Sequence, residues 1–296
     1  MQAFFHIQTL SMAAGLISIT CAAIMAYFSL SRLTYPGFKS WTAGFVLAGL
    51  GMILMSLRQQ APDWISIIAA NSCIMAFPVL IFYGLGEFKQ FPKRLWAPGL
   101  ILAAGAGILT YYTYWHPNVL MRIVAVSLIL CLLLLLCLAL LLRRGGLEYE
   151  CSNNLLKAVF AFQIVWNFFR AIITPLWEPD ITSFFSAGAI QGMSFMIYIL
   201  YCVLTMSGLI ALNAQRMELD LASAGENIKE LTRLIPICAR CKKIRDDQGY
   251  WEVVESYIEK MTNKGLTHSI CPECAKKLYP DLKIYDDDED EEKPKS

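Results

Sequence analysis

Four cysteines near the end of the chain stand in two pairs, Cys238-Ala-Arg-Cys241 and Cys271-Pro-Glu-Cys274, with 29 residues between them. A CxxC turn aims two thiolates at one point, and its backbone N–H groups can donate to the sulfurs. Two such turns make the donor set of a tetrahedral Zn²⁺ site. The interval exceeds the usual ribbon spacing of about 15–20 residues. The excess can hold a helix, because Val254, Tyr257, Ile258 and Met261 share one face before the stop signal Asn263-Lys-Gly265. His268, three before Cys271, could replace one sulfur. An iron–sulfur cluster, a haem or a redox dithiol are the alternatives. Haem is disfavoured because Lys242 follows Cys241, and redox use because two pairs are present. Four protein ligands leave no open metal position, so the expected role is structural and the chain is not read as an enzyme.

A second cluster lies in an apolar stretch. Gln163, Asn167 and Arg170 step by four and three, so a helix carries them on one face, with Trp166 beside them. Polar groups inside a membrane cost free energy and often mark function. The stripe is a candidate ligand-binding site, Arg170 offering a two-point grip for an anion. Helix–helix hydrogen bonding with Arg170 snorkelling outward is the competing reading.

The elements that would position these groups follow from hydropathy. Of 296 residues, 56% are hydrophobic and only 17% charged, and mean hydropathy is +0.48. Soluble domains carry about 25% charged residues. Seven apolar stretches approach the roughly 20 residues that a spanning helix needs: Phe5–Leu30, Ser40–Leu57, Trp64–Leu85, Leu95–Tyr114, Val119–Leu142, Leu155–Pro175 and Phe184–Leu212. The fold class is therefore an all-α polytopic membrane protein with seven transmembrane helices. Alternate loops hold Arg32 and Lys39; Lys89, Lys93 and Arg94; Arg143, Arg144 and Lys157. The other loops hold Arg58, with Arg122 and Arg170 near their edges. Positive charge stays inside, so the N-terminus is expected outside and the C-terminus in the cytoplasm. There the paired cysteines meet a reducing compartment that favours metal over disulfide. Cys21, Cys73, Cys131, Cys137, Cys202 and Cys151 read as small hydrophobes.

Residues 1–212 form the membrane domain. Beyond them Ile210, Ala214, Met217, Leu221, Ala224, Ile228, Leu231 and Ile235 keep alternating steps of four and three, a heptad seam over 213–235. It predicts a cytosolic coiled-coil linker and a parallel homodimer; an amphipathic helix lying on the membrane or the tail is the alternative. The cysteine-rich module covers 236–280, and 281–296 is an acidic tail expected to be disordered. The basic run Lys242, Lys243, Arg245 does not indicate nucleic acid, since residues 236–296 carry 11 basic and 14 acidic groups.

The stretch from Leu234 to Pro280 resembles a cysteine-rich module at the C-terminal end of bacterial sensory and response-regulator proteins. The resemblance rests on LIPICARCKKIRDDQGYW, Glu255, Tyr257–Ile258, His268, Ile270–Cys274 and Leu278–Pro280; His268-Ser269 stands where that family more often has Ser-His. The membrane part resembles the seven-helix sensor of bacterial diguanylate cyclases and histidine kinases, through Trp41-Thr-Ala-Gly-Phe45, Pro62-Asp-Trp64 with Asn71, Phe169-Arg170-Ala171 and Asn213-Ala-Gln-Arg216. These resemblances imply a bacterial inner-membrane signal-transduction sensor. Its bundle perceives a ligand or membrane state, its coiled coil transmits, and its zinc-ribbon-like α/β or α module engages a cytosolic signalling partner. A transporter with a zinc-bound regulatory tail is the alternative.

Overall fold

In hydrocarbon a chain must satisfy its backbone polar groups internally, and apolar stretches of this length do so as helices. The computed structural model describes residues 6–91, 96–143, 150–178, 181, 188–232, 236–246 and 248–282. The helices are α1 (Ile7–Ser31), α2 (Phe38–Ser56), α3 (Ala70–Phe88), α4 (Trp96–Thr110), α5 (Val119–Leu142), α6 (Glu150–Trp177) and α7 (Ala189–Thr232). A π-helical turn, Trp64–Ala69, leads into α3. Six helical segments are long and apolar enough to cross a membrane: Ile7–Ser31, Phe38–Ser56, Trp64–Phe88, Val119–Leu142, Asn154–Trp177 and Ala189–Glu226. The remaining expected segment, Leu95–Tyr114, holds the 15-residue α4, which passes into a five-residue π-helical turn at Tyr111–Trp115 and is not among the six. The expected start of the last span, 184–187, lies outside the described residues, as do the last heptad position, Ile235, and most of the acidic tail.

The chain divides into two units, Met1–Ala222 and Ser223–Ser296. In the first, α1 packs on α2, α2 on α3, α3 on α5, and α5 on α6, while α4 lies along α3 and α5. The α1–α2 crossing depends on glycine. A Cβ on Gly49 would stand 2.6 Å from Ile19 and 3.0 Å from the carbonyl oxygen of Gly15. Small residues let membrane helices meet backbone to backbone, where packing replaces the hydrophobic effect as the source of association. Phe38, Trp41, Phe45, Phe77 and Phe88 are wholly enclosed. Their rings interlock, Phe45 with Phe77 at 4.7 Å and Trp41 with Phe88 at 5.5 Å between centroids.

At the end of the bundle where α1 turns into α2, that turn grips α7. The Tyr35 backbone N–H donates to Asn213 Oδ1 (3.1 Å), and the Tyr35 hydroxyl bonds to the Asp220 carboxylate. Arg216 donates to the Phe88 carbonyl (2.7 Å) and lies 4.2 Å over the Tyr35 ring. Lys89, at the same end, donates to the carbonyls of Leu140 and Leu141 in the last turn of α5, where carbonyls have no partner further along the helix.

In the second unit a two-residue antiparallel pair, β1 (Ile244–Arg245) with β2 (Trp251–Glu252), precedes α8 (Val254–Thr262) and α9 (Pro272–Leu278). The helix expected between the cysteine pairs is α8, and Asn263 ends it in the left-handed region (φ 53°). Trp251, just before it, lies in β2. Its neighbours Asp246 and Gly249 close the hairpin: the Asp246 N–H donates to the Tyr250 carbonyl, its carboxylate accepts from the Tyr250 N–H, and its carbonyl accepts from the Gly249 N–H.

Candidate functional site

Two groups of residues can carry chemistry, one in each unit. In the first, a cavity enclosing about 910 Å³, its open mouth included, runs down between the helices. The three residues of the polar stripe on α6, Gln163, Asn167 and Arg170, all line it, with Trp166. Across from them stand Gln191, Ser194, Phe195, Tyr198 and Tyr201 of α7. The wall is completed by Asn71, Ile74, Phe77 and Pro78 of α3, by Met52 and Met55 of α2, and by one face of α5.

Local hydrogen bonds fix the polar lining. Asn167 and Asn71 turn back on their own helices, donating to the carbonyls of Gln163 (2.8 Å) and Ile67 (2.7 Å). Arg170 donates to Gln191 Oε1 at 2.8 Å, tying α6 to α7. Other polar atoms are buried with no partner among the described residues: Gln163 Oε1, Trp166 Nε1, Arg170 Nε and Arg122 Nε. Gln163 itself is only 7% exposed. A buried polar atom left unpaired costs about 1–3 kcal/mol, so this lining is set up for a polar guest.

Two cavity residues were not expected from the sequence, Arg58 and Arg122. They had entered only as loop charges. Arg58 stands in the α2–α3 connection, where burial first, and then the like charge of Arg122, pull its guanidinium down to about 10 against the opposing effect of Asp63. The available signal was their placement: with Arg170 they are the three basic groups at the ends opposite the eight others.

In the second unit the cysteines form two close pairs. Cys238 leads the first turn, accepting from the Lys242 N–H (2.9 Å) and donating its own to the Lys243 carbonyl (2.8 Å), with Lys242 left-handed at φ 61°. The backbone N–H and the thiol of Cys241 hold the Cys238 thiol below its ordinary value. Cys271 caps α9, with Pro272 in the first turn, and its thiol is lowered in the same way by Cys274. Cys241, Cys271 and Cys274 are exposed. Among the described residues no three His, Cys, Asp or Glu side chains converge on one point. One thiol of each pair is thus eased toward the thiolate that a Zn²⁺ ligand needs, while the neighbouring Cys271 pushes the Cys274 thiol up. His268 is exposed, in the loop before Cys271.

No family model, curated protein or solved structure matches the chain.

Proposed function

We infer that the protein is a membrane signal-transduction sensor. The observation that carries this is α7: one 44-residue helix lines the cavity through Gln191 to Tyr201 and runs on to Thr232, beyond the bundle's last buried residues. A change in the cavity thus has a direct covalent route to the tail. In this reading α4 with its π-helical turn completes seven spans in a bacterial inner membrane, with the N-terminus outside and the C-terminus in the cytoplasm, as the eight-to-three distribution of basic residues supports. Leu221 and Ile228, 66% and 62% exposed, are the seam of a parallel homodimer. Cys238, Cys241, Cys271 and Cys274 would hold Zn²⁺, which supplies cross-linking and no reaction, and the module so closed engages a cytosolic signalling protein rather than nucleic acid.

The test uses single cysteines at 219, 221, 226 and 228 in a full-length chain lacking the native thiols. Positions 221 and 228 should crosslink readily across the dimer and 219 and 226 much less. Arg170→Ala should change the rate at 221 and 228 at normal membrane abundance. Equal crosslinking at all four positions, or indifference to every cavity substitution, would overturn the sensor reading. Solute flux in proteoliposomes would put a transporter in its place.

A further inference from the structure

The charged lining of the cavity is gathered at one end. Arg58 follows α2, Arg122 opens α5 and Arg170 lies near the end of α6. These cations have counterparts within the chain. The Asp63 charge acts on Arg58 and Arg122, that of Glu178 acts on Arg170, and Gln191 Oε1 accepts from Arg170. The sequence between α6 and α7 carries a further carboxylate, Asp180, outside the described residues. The demand that points to a guest lies deeper, and it is a demand for hydrogen bonds.

Gln163 lies two turns of α6 below Arg170, about 10 Å along the axis. Apart from the three arginines, no charged side chain among the described residues lines the cavity; its lower wall includes Phe77, Leu130, Leu134, Tyr198 and Tyr201. Most neutral polar groups of the wall are answered locally. Asn71 and Asn167 bond back to their own helices, and the Ser194 hydroxyl donates to the Ile190 carbonyl at 2.8 Å. The Tyr201 hydroxyl has Thr205 beside it. Gln163 Oε1 and Trp166 Nε1 have no partner. The first is an acceptor and the second a donor. Three residues apart, they are neighbours on the surface of α6. At 7% exposure Gln163 takes no hydrogen bond from bulk water.

We propose that the cavity binds an uncharged amphiphile whose head both donates and accepts a hydrogen bond, a hydroxyl or a primary amide. The head donates to Gln163 Oε1 and accepts from Trp166 Nε1, and the apolar body lies along Val126, Leu130 and Leu134 of α5. The assignment rests on the sensor reading and names its ligand class. A head that only accepts leaves Gln163 Oε1 unanswered, and one that only donates leaves Trp166 Nε1 so; a buried polar atom without a partner is costly. An ion beside Gln163 is worse placed, because the described wall around it is neutral and much of it apolar, and a charge in such surroundings is expensive. The head alone would leave the face of α5 uncovered.

The full-length protein in phosphatidylcholine nanodiscs is titrated with decanol, decanamide, methyl decanoate, decanoate and decyltrimethylammonium. Binding is read as the change in tryptophan emission that is lost in Trp166→Phe. Decanol and decanamide should saturate the signal. Methyl decanoate, which only accepts, and the two ions should not. Gln163→Leu should weaken decanol about tenfold. The same variant should hold or raise the thermal transition, because it removes a buried unpaired oxygen, so lost binding is told apart from lost folding. Leu134→Phe, which leaves Gln163 and Trp166 untouched, should weaken decanol about fivefold and spare hexanol, a shift in chain length that misfolding cannot mimic. Methyl decanoate or decanoate binding as well as decanol, or full decanol affinity in Gln163→Leu, would overturn the proposal. Discs doped with diacylglycerol separate the sources. Blocked decanol binding assigns the site to a membrane lipid that carries the hydroxyl, and undiminished binding assigns it to a free amphiphile. Binding as stated, with decanol leaving the crosslinking at 221 and 228 unchanged, removes the sensor reading and keeps the site. A tail that answers Arg170→Ala while neither decanol nor decanamide binds does the reverse.

Discussion

The membrane unit and the cysteine-bearing unit reach order by opposite means. In the first, Trp41, Phe45, Phe77 and Phe160 are wholly enclosed and helices touch through glycine. In the second, among the described residues, Ile244 and Ala275 are the only buried apolar side chains, while Tyr250, Trp251, Met261 and Leu278 stand exposed. A module of this size with so little core needs a staple. In the proposed reading its cysteine pairs provide it, and metal binding then becomes folding energy. One chain would thus contain a part specified by packing and a part specified by four sulfur atoms.

The largest test of that contrast is Cys238→Ser or Cys274→Ser. Either should take bound zinc from one ion per chain to almost none and leave 236–280 open to protease, while Met1–Ala222 still inserts. A metal-free module that resists protease would erase the difference between the units. Next comes Gly49→Leu, which drives a side chain into Ile19 and the Gly15 carbonyl. Overpacking of this kind costs about 3 kcal/mol, so the thermal transition of the membrane unit should fall while the zinc content stays whole. Arg170 sharpens the contrast inside the membrane unit. Arg170→Ala, losing a charged hydrogen bond to Gln191 worth about 2 kcal/mol, should silence the tail at normal expression. Arg170→Lys should impair it too, because a point charge lacks the fork; normal signalling in the Lys variant would return the stripe to packing. The smallest effect is that of Tyr35→Phe. It removes the hydroxyl bond to Asp220 and leaves the ring under Arg216, so α7 should loosen by no more than about 1 kcal/mol, seen as faster amide exchange around Asn213.

Much of the membrane unit was legible because long apolar runs and helical spacing are strong signals. The steps of four and three placed Gln163, Asn167 and Arg170 on one face, and all three reach one cavity. Arg58 and Arg122 were not legible as cavity residues. They lie on other helices or connections, and no local spacing links them to α6. The heptad seam announced that α7 outruns the bundle, and the helix does reach Thr232. The hairpin of β1 and β2 escaped because two-residue strands are too short to show alternation. Cysteine spacing gave the two pairs; among the described residues they do not converge on one point, and the loop from Asn263 to Ile270 between them has no periodic pattern.

The grip of the α1–α2 turn on α7 has a mechanical consequence. Asn213, Arg216 and Asp220 occupy successive turns of one face, spread over about 10 Å of axis. A travel of one full turn, about 5.4 Å, would bring Met217 to the level of Asn213 and Ala224 to that of Asp220, side chains that cannot make those bonds. The three contacts therefore fix one seat for α7: in the proposed reading the turn would act as a detent, resisting a slide of a full turn and leaving only a fraction of a turn, or a few degrees of roll.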